Sequence, residues 1–208
     1  MTDKKIGIFG GTFDPIHSGH IKIAQRALSR FSLDKVYFMP CYVRPIKGKT
    51  AAGSHDRINM VKIAIQGKEH FELSDYEIKK RGKSYTINTL NYFRRKNRNS
   101  KLYLIIGSDL LSELMLWKEI EKFSGLCEII VYPRGEKGYS IAPRLRRAVS
   151  DLKMHFIKGP LIKTSSTALR NGFMSGHVPK SEIDKKVINY IEGRSIYEVE
   201  RGNCKRSR

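Results

Sequence analysis

Acidic residues are scarce in this chain. Twenty Asp and Glu stand against forty Lys and Arg, which leaves the 208 residues with a formal net charge of +20. The sequence shows no carboxylate cluster, so an all-protein cage for a hard cation is not expected. Cysteine is scarce as well. Cys41, Cys127 and Cys204 are odd in number, far apart and without a CxxC pair. That excludes a disulfide framework and a thiolate zinc site, and leaves free thiols. No apolar run is long enough to span a bilayer. The opening Met1-Thr2-Asp3-Lys4-Lys5 passes directly into a short apolar strand, with no signal-peptide core before it. A cytoplasmic protein without a membrane partner is the expectation. Internal repeats and long linkers are missing too. One domain over residues 1–199 is therefore expected, followed by a polar tail over 200–208.

What is present is a regular alternation of short apolar runs and amphipathic stretches. Lys5 to Phe9, Val36 to Met39, Phe71 to Leu73, Leu102 to Ile106, Glu128 to Tyr132 and His155 to Ile157 read as strands. Between them, His17 to Phe31 reads as a helix, with Ile21, Ala24, Ala27, Leu28 and Phe31 on one face. Further helices are expected from Ser54 as a cap, from Thr86 to Arg95, through Leu116 and Phe123, around Leu145 to Val149, from Ser166 to an end at Asn171-Gly172, and from Ile183 to Ile191. This order implies an α/β fold: a Rossmann-like, doubly wound parallel sheet with helices on both faces, in a single domain. In such a sheet ligands bind beyond the carboxyl ends of the strands, so the loops after strands carry the information.

The first of those loops is Gly10-Gly11-Thr12-Phe13-Asp14-Pro15-Ile16-His17-Ser18-Gly19-His20. Its glycines allow close backbone approach to an anion. The helix that follows points its free amides and positive dipole end at the same place. His17 and His20, three apart, share one face there, and Gly19 leaves room between them. Asp14 before Pro15 reads as a turn former with no catalytic role. At the end of the fourth strand, Gly107 removes bulk and Asp109 offers acceptors for ribose hydroxyls or a helix cap. Thr164-Ser165-Ser166-Thr167 is an N-cap signal that, with Arg170 one turn on, also makes an anion cradle. Ser84-Tyr85-Thr86 precedes a helix, with Thr86 as cap and free amides around it able to receive a carboxylate. Trp117 is the only tryptophan; taken alone it reads as core more readily than as a ligand contact.

The string GTFDPIHSGH resembles the phosphate-binding signature of the HxGH nucleotidyltransferase superfamily. The extended GGTFDPIHSGH, together with SYT at Ser84 to Thr86, Leu-Trp-Lys ending at Lys118, and SSTxxR from Ser165 to Arg170, is most similar to the nicotinate-nucleotide adenylyltransferase family. The likeness runs from Lys5 to about Tyr190. It implies that the chain transfers the adenylyl group of ATP to nicotinic acid mononucleotide in NAD biosynthesis. It also implies catalytic roles for His17, His20, Lys47 and Arg170. ATP would meet Gly10, Gly11, Thr12, Phe13, Gly19, Gly107, Asp109, Ser166, Thr167 and Arg170. The mononucleotide would meet Ser84, Tyr85, Thr86, Trp117, Lys118 and Arg134. Mg²⁺ would arrive bound to substrate, with no dedicated protein ligands. The chain departs from the family at Arg44-Pro45-Ile46-Lys47, where Pro-Pro-His-Lys is usual; Ile46 cannot donate a hydrogen bond, and Arg44 is the residue left to compensate.

Other readings compete. A related transferase would use nicotinamide mononucleotide or phosphopantetheine as acceptor. A basic RNA-binding module would account for the charge but not for paired histidines behind a Gly-rich loop. The tightest basic runs, Lys79-Lys80-Arg81 and Arg94-Arg95-Lys96, sit beside turn residues and the rest are scattered. Most of the charge therefore reads as surface, and no specific nucleic-acid partner is expected. A homo-oligomer is left open.

Overall fold

The computed structural model describes residues 4–46, 49–133, 145, 147 and 149–198. Six strands form one sheet: β1 (Lys5–Gly11), β2 (Lys35–Pro40), β3 (Phe71–Leu73), β4 (Lys101–Gly107), β5 (Glu128–Tyr132) and β6 (Met154–Phe156). Their order is β3-β2-β1-β4-β5-β6, and every pairing is parallel. Sequence order reverses between β1 and β4, which opens a crevice at their carboxyl ends.

The strands are apolar on both faces because both faces are covered. On β4, Leu102, Leu104 and Ile106 join one core cluster, while Tyr103 and Ile105 join the other. Ile129 and Val131 of β5 likewise face the first, Ile130 and Tyr132 the second. The first layer is completed by α4 (Thr86–Lys96) and by 3₁₀ turns at Ser108–Leu116 and Ile120–Gly125. The second is completed by α1 (Ser18–Phe31), α2 (Ser54–Ile65), α5 (Ser166–Ser175) and α6 (Lys185–Glu192). A short α3 (Tyr76–Lys80) precedes α4. The expected doubly wound α/β sheet is thus what the chain forms.

Several boundaries differ from expectation. The stretch through Leu116 and Phe123 is two 3₁₀ turns rather than an α-helix. The residue preceding α2 is Gly53, not Ser54, and the one preceding α4 is Tyr85, not Thr86. α5 does not stop at Asn171-Gly172. It continues to Ser175 and closes on Gly176 in the left-handed region at φ 75°. Gly172 serves a close approach instead: a Cβ there would lie 2.7 Å from the His177 carbonyl oxygen. Of the helix expected around Leu145 to Val149, the described residues show both ends buried and a Val149 N–H bond to the Leu145 carbonyl. The tail over 200–208 lies outside the described residues.

Candidate active site

A cavity of about 700 Å³ opens at the carboxyl ends of β1, β2 and β4, across the reversal in strand order. Its wall includes Gly10 and Gly11 from the end of β1, Thr12 from the loop that follows, and His20 from α1. His17 occupies the position before α1 with extended backbone, and the two imidazoles lie 3.7 Å apart between ring centroids. The His17 N–H donates to His20 Nδ1 at 3.2 Å. In the neutral imidazole Nδ1 is then the acceptor, which leaves Nε2 as the ring's N–H donor. Gly19 is required here: a Cβ would meet Ile162 at 2.5 Å and the His17 ring at 2.9 Å. Phe13 is not a wall of the cavity. With its backbone in the left-handed region at φ 50°, its ring is buried against Phe9, Phe38 and His20, so it supports the histidine from behind.

From the other end of the chain, α5 brings Ser165, Ser166, Thr167 and Arg170 to the same cavity. The Ser165 hydroxyl accepts from the Ala168 N–H at 3.1 Å and caps the helix. Ser166 Oγ donates to the Pro15 carbonyl at 2.9 Å. Arg170 donates to the Asp14 carbonyl at 2.7 Å and to Thr167 Oγ1 at 3.1 Å. Asp14 is buried, and its carboxylate accepts from the amides of Ala51 (2.7 Å) and Ala52 (3.0 Å) and from the Tyr197 hydroxyl (2.8 Å). It is a clamp that holds the first loop, the approach to α2 and the C-terminal segment together. Burial, then the Asp14 charge, push the Tyr197 hydroxyl far up, so it remains a donor.

The opposite wall carries Ser84, Tyr85, Thr86, Trp117, Lys118, Gly107 and Asp109. Ser84 Oγ accepts from the Tyr42 N–H at 2.9 Å, and the Ser84 N–H donates to Val43 O at 2.9 Å. Lys118 lies over the Tyr85 ring, 5.1 Å from its centroid. Trp117 is half-buried, lines the cavity and packs against the core on its other side, its ring 6.1 Å from that of Phe123 between centroids. Glu77 of α3 closes this end. Thr89 Oγ1 donates to its Oε1 at 2.5 Å, and burial pushes its carboxyl above the ordinary 4.5 against the pull of Thr89 and Ser84.

A profile of the cytidylyltransferase-like family matches residues 8–172. A Clostridium tetani protein named "probable nicotinate-nucleotide adenylyltransferase" is 40% identical over 200 residues, covering 93% of this chain and 99% of that one. A protein of the same name from Clostridium novyi is 42% identical over 174 residues, covering 81% and 86%. The chain belongs to the nicotinate-nucleotide adenylyltransferase family. The fold agrees: a Plasmodium falciparum nicotinic acid mononucleotide adenylyltransferase solved with NaAD superposes with a TM-score of 0.74 at 24% identity, over 93% of this chain and 97% of that one.

Most residues anticipated from the family pattern do meet at one cavity, although they come from both ends of the chain. His17, Gly19 and Phe13 stand behind its wall rather than in it. Lys47 and Arg134 lie outside the described residues. Arg44 and Ile46 both line the cavity. Sequence reading gave Asp14 only a turn-forming role and passed over Arg57 and Glu77. Each is buried or nearly so and acts through its neighbours, and no short motif marks such a role. The one available signal was polarity inside an otherwise apolar helical face, as at Arg57 of α2.

Proposed function

We propose that the cavity binds ATP and nicotinic acid mononucleotide together and joins them into nicotinic acid adenine dinucleotide, releasing pyrophosphate, as a step of NAD biosynthesis in the cytoplasm. A phosphate oxygen of the mononucleotide attacks the α-phosphorus of ATP. The bond from that phosphorus to the bridging oxygen breaks, and pyrophosphate carries the electron pair away. The nucleophile is already an anion, so no covalent enzyme intermediate is required. The work of the protein is alignment and stabilisation of growing negative charge.

The observation that carries this reading is the meeting, in one cavity, of His20 and the glycine loop with the α5 cradle on one side and the Tyr85–Trp117–Lys118 wall on the other. His20 serves the phosphates from the cavity wall at the α1 N-terminus, and His17, packed 3.7 Å behind it, backs that imidazole. Ser166, Thr167 and Arg170 hold the leaving pyrophosphate. Gly107 and Asp109 take the nucleotide. Among the described residues no group of three or more His, Cys, Asp or Glu forms a metal cage. Mg²⁺ would arrive carried on ATP, keeping waters and phosphate oxygens and needing few protein ligands. When bound it neutralises phosphate charge. No described helix is long and apolar enough to cross a membrane.

The pyridine ring stacks on Trp117, which tolerates acid and amide alike. Discrimination falls to the ring substituent. The Tyr85 N–H already donates to the Lys83 carbonyl at 3.1 Å, so the role falls to the Thr86 N–H at the start of α4, a donor only, which suits a carboxylate and leaves an amide NH₂ unpaired, at about 1–3 kcal/mol per buried group. The test is pyrophosphate release by purified protein with ATP, Mg²⁺ and a panel of acceptor phosphates. Nicotinic acid mononucleotide should be preferred over the amide at least tenfold in kcat/KM, which corresponds to about 1.4 kcal/mol. Equal constants, or turnover only with phosphopantetheine, would refute the assignment.

A further inference from the structure

We infer that Arg57 is a positioning residue that holds the phosphate loop and the pyridine-side loop in register, an inference that rests on the reaction proposed above. Arg57 stands on the first turn of α2 and is 1% exposed. It does not line the cavity; it lies one peptide group beneath the wall. Its Nη1 donates to the Thr12 carbonyl at 2.8 Å and its Nη2 to the Tyr42 carbonyl at 3.4 Å. Thr12 belongs to the loop that meets ATP. Tyr42 in turn donates its N–H to Ser84 Oγ, on the mononucleotide side. One guanidinium therefore spans the two halves of the site. The planar fork of Arg fixes both partners at a set separation, which the single flexible ammonium of Lys cannot do.

A stability role alone explains this residue poorly. Among the described residues no carboxylate forms an ion pair with Arg57, and the side chain beside its guanidinium is the buried Cys41 thiol. Burying a cation among neutral groups carries a desolvation cost that works against its two hydrogen bonds. The neighbouring clamp tells the same story from the other side. Asp14 binds the amides of Ala51 and Ala52 just before α2, while Arg57 of α2 reaches back to Thr12. The first loop and the start of α2 are thus pinned twice. In an in-line displacement, a misplacement of about 1 Å is enough to cost roughly 100-fold in rate.

The experiment compares full-length wild type, Arg57→Lys, which keeps the charge but not the fork, and Arg57→Met, which loses both. Melting temperature is measured without ligand, ATP and nicotinic acid mononucleotide affinities are measured separately, and kcat is measured by pyrophosphate release well below the melting point. The expected result is a kcat lower by about 100-fold in Arg57→Met and by at least about tenfold in Arg57→Lys, with each separate Kd changed by less than about threefold. If Arg57→Met does not fold, the Lys variant decides alone. An unchanged kcat in Arg57→Lys, a loss confined to ATP affinity, or a drop in melting temperature with kcat intact each overturns the inference while leaving the reaction standing. Wild-type protein that releases no pyrophosphate overturns the reaction, and the inference with it.

Discussion

Glu77 shows how a single buried carboxyl couples the cavity to pH. It is held by Thr89, and desolvation makes its charged form costly. Its proton is therefore bound more tightly in the folded state than in the unfolded one. For an acid shifted upward, the folded state holds the extra proton between the ordinary 4.5 and the raised value, so stability falls as pH rises through that window. Gln at this position keeps an acceptor for Thr89 but does not titrate. The melting temperature of wild type minus that of Glu77→Gln, followed from pH 4 upward, should decline across the window. A flat difference would show that the carboxyl is hydrated and ordinary.

Two of the helix N-termini that face the cavity, those of α1 and α5, are built by different local chemistry. α1 begins with histidine side chains and a glycine at the point of closest packing. α5 begins with a serine hydroxyl bonded to the Ala168 amide. Removing that hydroxyl tests whether the α5 cradle depends on its cap. Ser165→Ala should cost about 1 kcal/mol, the usual cap value, and lower the melting temperature by about 2–4 °C for a chain of this size. Because the Ser166 and Arg170 bonds to the first loop depend on the same turn, ATP should bind severalfold more weakly while nicotinic acid mononucleotide binds as before. Loss of both affinities together would place the cap's influence beyond the α5 end.

At the scale of the whole molecule, the charge of +20 is the property least explained by the reaction. Cationic side chains do contribute to the site, among them Arg170 and Lys118. Most of the others are scattered over the surface, several in pairs such as Lys79 with Asp75 and Lys122 with Glu119. Exposed pairs of this kind add little stability. Association with DNA or RNA should therefore be weak and nonspecific, falling steeply as salt rises from 50 to 200 mM because it rests on counterion release. A titration of labelled oligonucleotides at several salt concentrations checks this. Sequence-selective binding that survives 200 mM salt would assign the charge a function of its own.

The elements and their order were legible in the chain because parallel strands buried on both faces are continuous apolar runs, and Leu102 to Ile106 is such a run. The phosphate loop was legible because glycines, paired histidines and a Ser/Thr cap are local signals with local causes. Chain termini of secondary elements were less so. Gly172 looked like a stop and is a packing site, since only the fold brings the His177 carbonyl against it. The roles of Asp14, Arg57 and Glu77 were not legible at all. Their meaning lies in partners 37 to 183 residues away for Asp14 and 15 to 45 for Arg57. The sequence by itself determined which segments would bury and which loops could face an anion, because those depend on spacing and side-chain type. Only the tertiary structure decided which buried charges would meet which backbone groups, because a buried polar atom takes its role from whatever the fold sets within hydrogen-bond distance of it.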